Sequence, residues 1–105
     1  KKVGLLKIKT FRPFPVKALQ KGVAKIKALG VVDRSVNYGW NCGPLYQEVL
    51  AGTAKMKQRP EVISFIGGLA GTDITIDHML DAIDTVGQAA KGKVVEETIW
   101  MNEKF

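Results

Sequence analysis

The stretch Val3–Pro15, VGLLKIKTFRPFP, decides how this chain is built. In its first half apolar residues alternate with Lys7 and Lys9 at a period of two, which predicts a half-buried β-strand. Pro13 and Pro15 end this strand, because proline cannot continue a hydrogen-bonded ladder. A helical pattern begins directly after Pro15. The stretch therefore predicts a strand that leads into a helix through a rigid corner.

The composition is that of one small globular domain: 105 residues, of which 46% are apolar and 25% charged. No apolar run approaches the roughly 20 residues that span a bilayer, so we expect no membrane partner. One cysteine, Cys42, and one histidine, His78, cannot build a disulfide or a structural zinc site within this chain. The lone cysteine favours a reducing compartment, and we expect a cytoplasmic protein. The start, without an initiator Met or a signal peptide, predicts a chain that begins inside a longer polypeptide.

Three helices and further strands follow the first stretch. We predict a first helix from Pro15 to about Leu29, stopped by Gly30, and a short buried strand at Val31 and Val32. A second helix starts at Pro44, and the apolar run from Val62 to Ile66 predicts a central strand buried on both faces. Thr72 or Thr75 can cap a third helix, which ends at Lys91 and Gly92. The predicted inner faces are Leu45, Tyr46, Val49, Leu50 and Thr53 for the second helix, and Ile76, Met79, Leu80, Ile83 and Val86 for the third.

The order strand, helix, strand, helix, strand, helix predicts the α/β class with a mainly parallel sheet. We divide the chain into an α/β domain over residues 1–92 and a tail over 93–105, which forms either an edge strand or a docking arm. The net charge of +6 permits binding of a polyanion. The lysines of the first helix have no interleaved arginine or aromatic residue, however, and we expect no nucleic-acid partner.

Two groups of candidate site residues follow the first two predicted strands. Phe11, Arg12 and Phe14 stand at the carboxyl end of the first strand, the sheet edge at which α/β proteins meet ligands and partners. Asp33 and Arg34 follow the second strand. They are either a catalytic or ligand-binding pair or an internal ion pair that fixes the loop to Arg12 or to a neighbour, and we favour the structural role.

The loop of residues 37–43 is rich in glycine, asparagine and aromatic residues and precedes a helix. Gly39 and Gly43 allow a weak prediction of an anion site at the helix N-terminus. Trp40 is large enough to indicate a partner surface. Cys42 is either a nucleophile or a small structural residue, and the structural alternative is favoured. The predicted structural or interface residues are thus Phe11, Arg12, Phe14, Asp33, Arg34, Trp40, Cys42 and Gly43, with no catalytic, cofactor or metal residue.

Four blocks of sequence resemble one known family. FRPFP at residues 11–15, VVDRS at 31–35, CGPLYQEV at 42–49 and VISFIGGLAGTDIT at 62–75 stand in the family's order. Together they resemble the carboxyl-terminal domain of the alpha subunit of 2-oxoacid:ferredoxin oxidoreductases, over about residues 3–86.

The resemblance implies a three-layer α/β/α domain like the transketolase carboxyl-terminal domain, here without its first strand. It implies an anaerobic enzyme that oxidatively decarboxylates a 2-oxoacid and reduces ferredoxin. Thiamine diphosphate, magnesium and iron–sulfur clusters are then held by other domains or subunits, and this domain has an assembly role in an oligomer.

Cys42 departs from the family pattern, in which glycine usually precedes the Gly43-Pro44 pair. The departure indicates a locally different loop. It allows a rarer 2-oxoacid than pyruvate as the substrate, even oxalate. The alternative function is a stand-alone module that binds an anionic ligand, such as a nucleotide or coenzyme A, through Arg12, Arg34 and the loop from Gly39 to Gly43.

Overall fold

A computed structural model of the chain describes residues 3–9, 13–36, 41–68 and 73–101. Phe11, Arg12, Gly39, Trp40 and Thr72, which the sequence analysis singles out, lie outside these residues. The helices and strands are α1 (Val16–Gly22), β1 (Ala28–Asp33), α2 (Pro44–Thr53), β2 (Glu61–Ile66), α3 (Ile76–Ala90) and β3 (Thr98–Trp100).

The described strands form a parallel sheet in the order β1-β2-β3. β1 pairs with β2 from Ala28 opposite Glu61 to Asp33 opposite Ile66, and β2 pairs with β3 from Ser64 opposite Thr98. β2 lies in the centre and is buried along all but its first residue. The predicted α/β class and the predicted central strand are confirmed. The predicted tail contributes β3 at the sheet edge.

Two core clusters lie on opposite faces of the sheet, because successive residues of a strand point to opposite sides. One cluster joins the sheet to α1 and α2 through Leu19, Tyr46, Val49 and Val62, among others. The other joins the sheet to α3 through residues that include Ile63, Phe65, Ala82 and Ala89. The result is the three-layer α/β/α arrangement that the family resemblance implies.

The predicted first strand is not formed: residues 3–9 have no regular secondary structure. Val3 is 59% exposed and Leu5 90% exposed, so the period of two does not bury one face of this segment. Leu6 instead contacts the end of α1 near Gly22. An alternating pattern specifies a strand only when a sheet edge and a core accept it, and residues 3–9 lack that packing.

The first helix is shorter than predicted. It ends at Gly22 rather than near Leu29, and Gly30 lies inside β1 instead of stopping a helix. Tertiary pairing with β2 from Ala28 onward overrides the helical spacing of the apolar residues. A β-carbon at Gly30 would lie only 2.8 Å from a methyl group of Val86 and 2.9 Å from the ring of Phe65. Glycine there serves sheet–helix packing.

The inner face of α3 also differs from the prediction. Ala82 and Ala89 are buried, whereas Ile76 is 79% and Leu80 57% exposed. Val86 of the predicted face does pack against the same cluster as Ala82 and Ala89. The predicted cap is confirmed at Thr75, whose hydroxyl accepts from the N–H of His78 at 3.2 Å. The imidazole Nδ1 of His78 accepts from the N–H of Thr75 in return, at 3.0 Å.

Candidate functional site

The candidate site lies at the carboxyl edge of the sheet, where β1 ends and α2 begins. Asp33 is the last residue of β1, and its carbonyl oxygen accepts from the N–H of Gly67, just after β2, at 3.0 Å. The carboxyl ends of the two strands are therefore tied together, and the loop that leads to Pro44 starts beside them. We call this region, comprising residues 33–36, 41–46, 67 and 68, the carboxyl-edge site.

The side chain of Asp33 caps α2 from outside the helix. Its Oδ1 accepts from the N–H of Leu45 at 2.9 Å, and its Oδ2 accepts from the N–H of Tyr46 at 3.0 Å. The first N–H groups of a helix have no partner within the helix, and a carboxylate also favours the positive end of the helix dipole. Asp33 is 6% exposed. This carboxylate fills the position that an external anion would take.

Gly43, the residue before α2, allows Asp33 to reach these amides. A β-carbon at Gly43 would overlap the carboxyl group and the β-carbon of Asp33. Its φ of −87° is one that any residue adopts. Glycine at this position is therefore explained by the close approach of two chain segments, and only a residue without a side chain fits.

The carboxylate of Asp33 bonds the backbone of α2 instead of pairing with Arg34 as predicted. Its hydrogen-bond partners in the described part of the chain are the two amides of α2, and Arg34 is exposed. The guanidinium of Arg34 lies beside Gly68, where a β-carbon would be 2.8 Å from Nε. Gly68 also has a φ of +74°, which glycine adopts without strain. Arg34 thus covers the turn after β2 while remaining accessible at the surface.

Tyr46 extends the site from α2 toward the strand at the other sheet edge. It is 1% exposed, and its hydroxyl donates to Oε1 of Glu97 at 2.6 Å. Burial raises the pKa of Tyr46 above its ordinary value, and the hydrogen bond to Glu97 raises that pKa further. The phenol therefore stays protonated and acts as a donor that holds Glu97, one residue before β3.

Asn41 provides a second link to β3. Its backbone carbonyl accepts from Thr98 Oγ1 at 2.7 Å, and its side-chain Oδ1 accepts from Trp100 Nε1 at 3.0 Å. Both bonds cross more than fifty residues of sequence. The described end of the loop, residues 41–43, is thus fixed to β1 and α2 on one side and to β3 on the other.

Cys42 and Phe14 pack in the core. Cys42 is 1% exposed within the cluster that includes Tyr46, which agrees with the favoured structural alternative for this residue. Phe14 is half-buried against the same cluster, and its ring lies near Gly52 of α2. Phe11, Arg12 and Trp40 lie outside the described residues, so their predicted interface role stays a prediction.

An open cleft of about 390 Å³ adjoins the carboxyl-edge site. Ile8, Lys9, Asp33, Pro44 and Leu45 line it. Its one lining carboxylate is already bonded to α2, as described above. The cleft therefore offers an ammonium group and apolar side chains, a lining that suits protein contact better than acid–base chemistry.

Sequence reasoning missed Asn41, Glu97 and the capping role of Asp33. Glu97 lay in the predicted tail, and nothing local connects it to Tyr46. Asp33 was named, but its partners are twelve and thirteen residues away. The available signal was an acidic residue after a strand, followed by a helix whose N-cap position carries glycine instead of a capping side chain.

The described ranges contain no group of three or more His, Cys, Asp or Glu side chains that could hold a metal ion. In the same part of the chain, no helix combines the length and the apolar character needed to cross a membrane.

Comparison with known proteins gives consistent matches. Residues 1–79 match the family model described as pyruvate:ferredoxin oxidoreductase core domain II. The chain is 54% identical over 105 residues to the NADH-dependent phenylglyoxylate dehydrogenase subunit alpha of Aromatoleum evansii, a match that covers 99% of this chain and 25% of that protein.

Two further relatives illustrate the range of the matches. Pyruvate synthase subunit PorA of Thermotoga maritima is 40% identical over 83 residues, covering 79% of this chain and 21% of that protein. Ketoisovalerate oxidoreductase subunit VorA of Pyrococcus furiosus is 31% identical over 104 residues, covering 98% and 26%. The chain spans about a quarter of the length of the curated relatives it matches.

Proposed function

This chain belongs to the family described as pyruvate:ferredoxin oxidoreductase core domain II, and on that premise we propose that it is an assembly domain in the alpha subunit of a 2-oxoacid oxidoreductase. The family membership confirms the resemblance read from the four sequence blocks. The names of the relatives support the enzyme class, because phenylglyoxylate, pyruvate and ketoisovalerate are all 2-oxoacids.

One observation carries the proposed assembly role: the carboxylate of Asp33 is bonded to two backbone amides of α2. A carboxylate held in this way orders the loop before Pro44 and is not available as a general base. Tyr46 and Asn41 support the same reading, since both hold the strand at the opposite sheet edge. The polar groups of the carboxyl-edge site thus hold the loop before α2 and the start of β3 in fixed positions. The surface formed in this way is the one that neighbouring domains would contact.

The proposed interface combines this fixed frame with exposed side chains. Arg34 is exposed beside the turn at Gly68. We place Arg12, Phe11 and Trp40 in the same interface on the basis of the sequence. Other domains or subunits of the enzyme are the proposed partners, in a cytoplasmic oligomer. Thiamine diphosphate, magnesium and iron–sulfur clusters are proposed to reside in those other parts.

For the substrate of the whole enzyme we propose an aromatic 2-oxoacid such as phenylglyoxylate. The support is the 54% identity to a phenylglyoxylate dehydrogenase subunit, compared with 30–40% for the relatives named after pyruvate and ketoisovalerate. The family description favours ferredoxin as the electron acceptor, whereas the name of the 54% relative favours the nicotinamide nucleotide. Pyruvate is the second candidate substrate, and oxalate is the third, on the basis of the Cys42 departure.

The alternative function, a stand-alone module for an anionic ligand, has less support. Its binding site would use the N-terminus of α2, and the carboxylate of Asp33 already bonds the amides of Leu45 and Tyr46 there. A second anion would meet that negative charge at close range. Arg34 alone would have to offset the repulsion.

The test is to purify the full-length subunit together with its partner subunits and to measure oxidation of phenylglyoxylate and pyruvate, with ferredoxin and NAD as alternative acceptors. We expect turnover in the complex, faster with phenylglyoxylate. Arg12→Ala should lower the yield of assembled complex before it lowers turnover per complex, and Lys17→Ala, on the outer face of α1, is the control. Normal assembly of Arg12→Ala without turnover would contradict the assembly role. Salt-sensitive micromolar binding of coenzyme A or a nucleotide by this chain alone would favour the alternative.

A further inference from the structure

The three loops that lead from a helix into the next strand lie at the amino edge of the sheet, opposite the carboxyl-edge site. In a parallel sheet with helical crossovers, each such loop returns the chain to this edge. The loops comprise residues 23–27, 54–60 and 91–97. The N–H of Glu61 donates to the carbonyl of Lys27 at 2.9 Å and joins the ends of the first two loops. We call the three loops together the amino-edge surface.

The first two of these loops are strongly basic. Lys25 and Lys27 lie in the first, and Lys55, Lys57 and Arg59 lie in the second. All five side chains are exposed, and the two loops contain no aspartate or glutamate. Five cations on two adjacent short loops outnumber the exposed carboxylate of Glu61, which directly follows the second loop, and they create a local positive potential.

The third loop adds Lys91 and Lys93, both exposed, followed by Glu96 and Glu97. The carboxylate of Glu97 accepts the hydrogen bond from Tyr46 described above, so this side chain belongs with the carboxyl-edge site. Val94, directly after Lys93, is fully exposed. The third loop therefore combines positive charge with accessible aliphatic surface.

We propose that the amino-edge surface docks an acidic protein surface, a patch rich in aspartate and glutamate on another subunit. Charge complementarity supports this partner, because opposite charges across an interface steer association and fix its register. The exposed aliphatic side chains of Ile26 and Val94 favour a protein over a nucleic acid, since they give apolar contact. The sequences of the three loops contain no aromatic residue on which a base could stack.

This inference goes beyond the proposed function, which concerns the opposite edge and assigns no partner to the amino edge. The test treats the purified complex of the full-length subunit with a carbodiimide, which joins lysine amines directly to carboxylates in contact with them. Mass spectrometry then identifies the joined peptides. We expect Lys57 or Lys93 to be joined to aspartate or glutamate of another subunit.

A matched pair of variants completes the test. Lys57→Glu with Lys93→Glu reverses two charges on the amino-edge surface, and we expect at least a tenfold loss of assembled complex at 150 mM salt. Lys7→Glu with Lys17→Glu reverses two exposed charges outside it and should assemble normally. Equal assembly of the two double variants, with no cross-link from the amino-edge lysines, overturns the inference even where the complex forms.

Two other outcomes have separate meanings. Tight binding of polyuridylate RNA that protects Lys57 and Lys93 from acetylation would overturn the protein partner in favour of a nucleic acid. A full-length subunit that remains active without any partner subunit would overturn both the proposed assembly role and this inference. Cross-links at the amino edge in a complex that does not oxidise a 2-oxoacid would support the inference and contradict the proposed function.

Discussion

The carboxyl group of Asp33 occupies the space in which any β-carbon on Gly43 would have to lie. The carboxylate cannot move away without losing its bonds to the N–H groups of Leu45 and Tyr46. The side chain of Asp33 therefore holds the end of β1 to the first turn of α2, and it can do so because Gly43 has no side chain.

The first prediction concerns Gly43→Ala. The added methyl group forces Asp33 away from α2, and we expect the free energy of unfolding to fall by about 1–3 kcal/mol, the usual cost of overpacking. Urea unfolding followed by circular dichroism measures this change. Gly22→Ala is the control, because its added β-carbon would lie 3.5 Å from Leu6, an ordinary contact. The same small change in both variants would contradict the steric explanation.

The second prediction concerns the cap itself. Asp33→Ala removes both acceptors, and we expect a loss of about 1–3 kcal/mol of stability because two amides are left without a partner. Hydrogen–deuterium exchange at Leu45 and Tyr46 should become faster. Asp33→Asn keeps one acceptor oxygen and should have a smaller effect. Asp81→Ala, at an exposed position of α3, is the control. Unchanged protection of the two α2 amides in Asp33→Ala would show that the carboxylate is not their cap.

Local sequence patterns correctly predicted the helices and strands that short stretches of sequence specify by themselves. The apolar run of β2 and the proline before Leu45 specify a buried strand and a helix start wherever they occur. The segment 3–9 has the pattern of a strand but lies in no described ladder, because pairing depends on a partner that alternation alone cannot name. Gly30 was wrongly predicted to stop a helix. Its role in the packing of β1 against Phe65 and Val86 depends on tertiary contacts, which the local sequence does not show.

The candidate site was predicted in composition but not in connectivity. Asp33 and Gly43 were both named from the sequence, yet their contact depends on how β1 and α2 meet in space. The bond from Tyr46 to Glu97 spans 51 residues, and no local pattern encodes it. Residues could therefore be assigned to the carboxyl edge from the sequence, whereas the partner of each polar group required the structure.

The third prediction concerns Ser64 in the middle of β2. Its side chain is fully buried, and within the described part of the chain its hydroxyl oxygen has no hydrogen-bond partner. Removing an unsatisfied buried polar group relieves its desolvation cost, so Ser64→Ala should raise the free energy of unfolding by about 1 kcal/mol.

Thr53→Val is the matched contrast for Ser64→Ala. The hydroxyl of Thr53 is also buried, but it donates to the carbonyl of Val49 at 2.9 Å. We expect this variant to lose about 1 kcal/mol, since it removes a satisfied bond at nearly constant volume. Urea unfolding of both variants measures whether the free energy of unfolding rises in Ser64→Ala and falls in Thr53→Val. A loss of stability in Ser64→Ala would mean that its hydroxyl has a partner, such as a buried water.

The last prediction is a pH dependence at Tyr46. Because burial and Glu97 raise the pKa of this phenol in the folded chain above the unfolded value of about 10, the folded state holds its proton more tightly. Below pH 10 the phenol is neutral in both states, and its contribution to stability is fully present. Above pH 10 the unfolded state loses the proton first, so this contribution declines as pH rises.

The difference in unfolding free energy between the natural chain and Tyr46→Phe should therefore shrink from pH 9 to pH 11, by up to about 1.4 kcal/mol per pH unit above 10. Glu97→Gln removes the charge but keeps an acceptor, so the stabilisation by Tyr46 should decline less steeply with pH in this variant. If the difference in unfolding free energy between the natural chain and Tyr46→Phe stays constant across this range, Tyr46 ionises as freely in the folded chain as in the unfolded one.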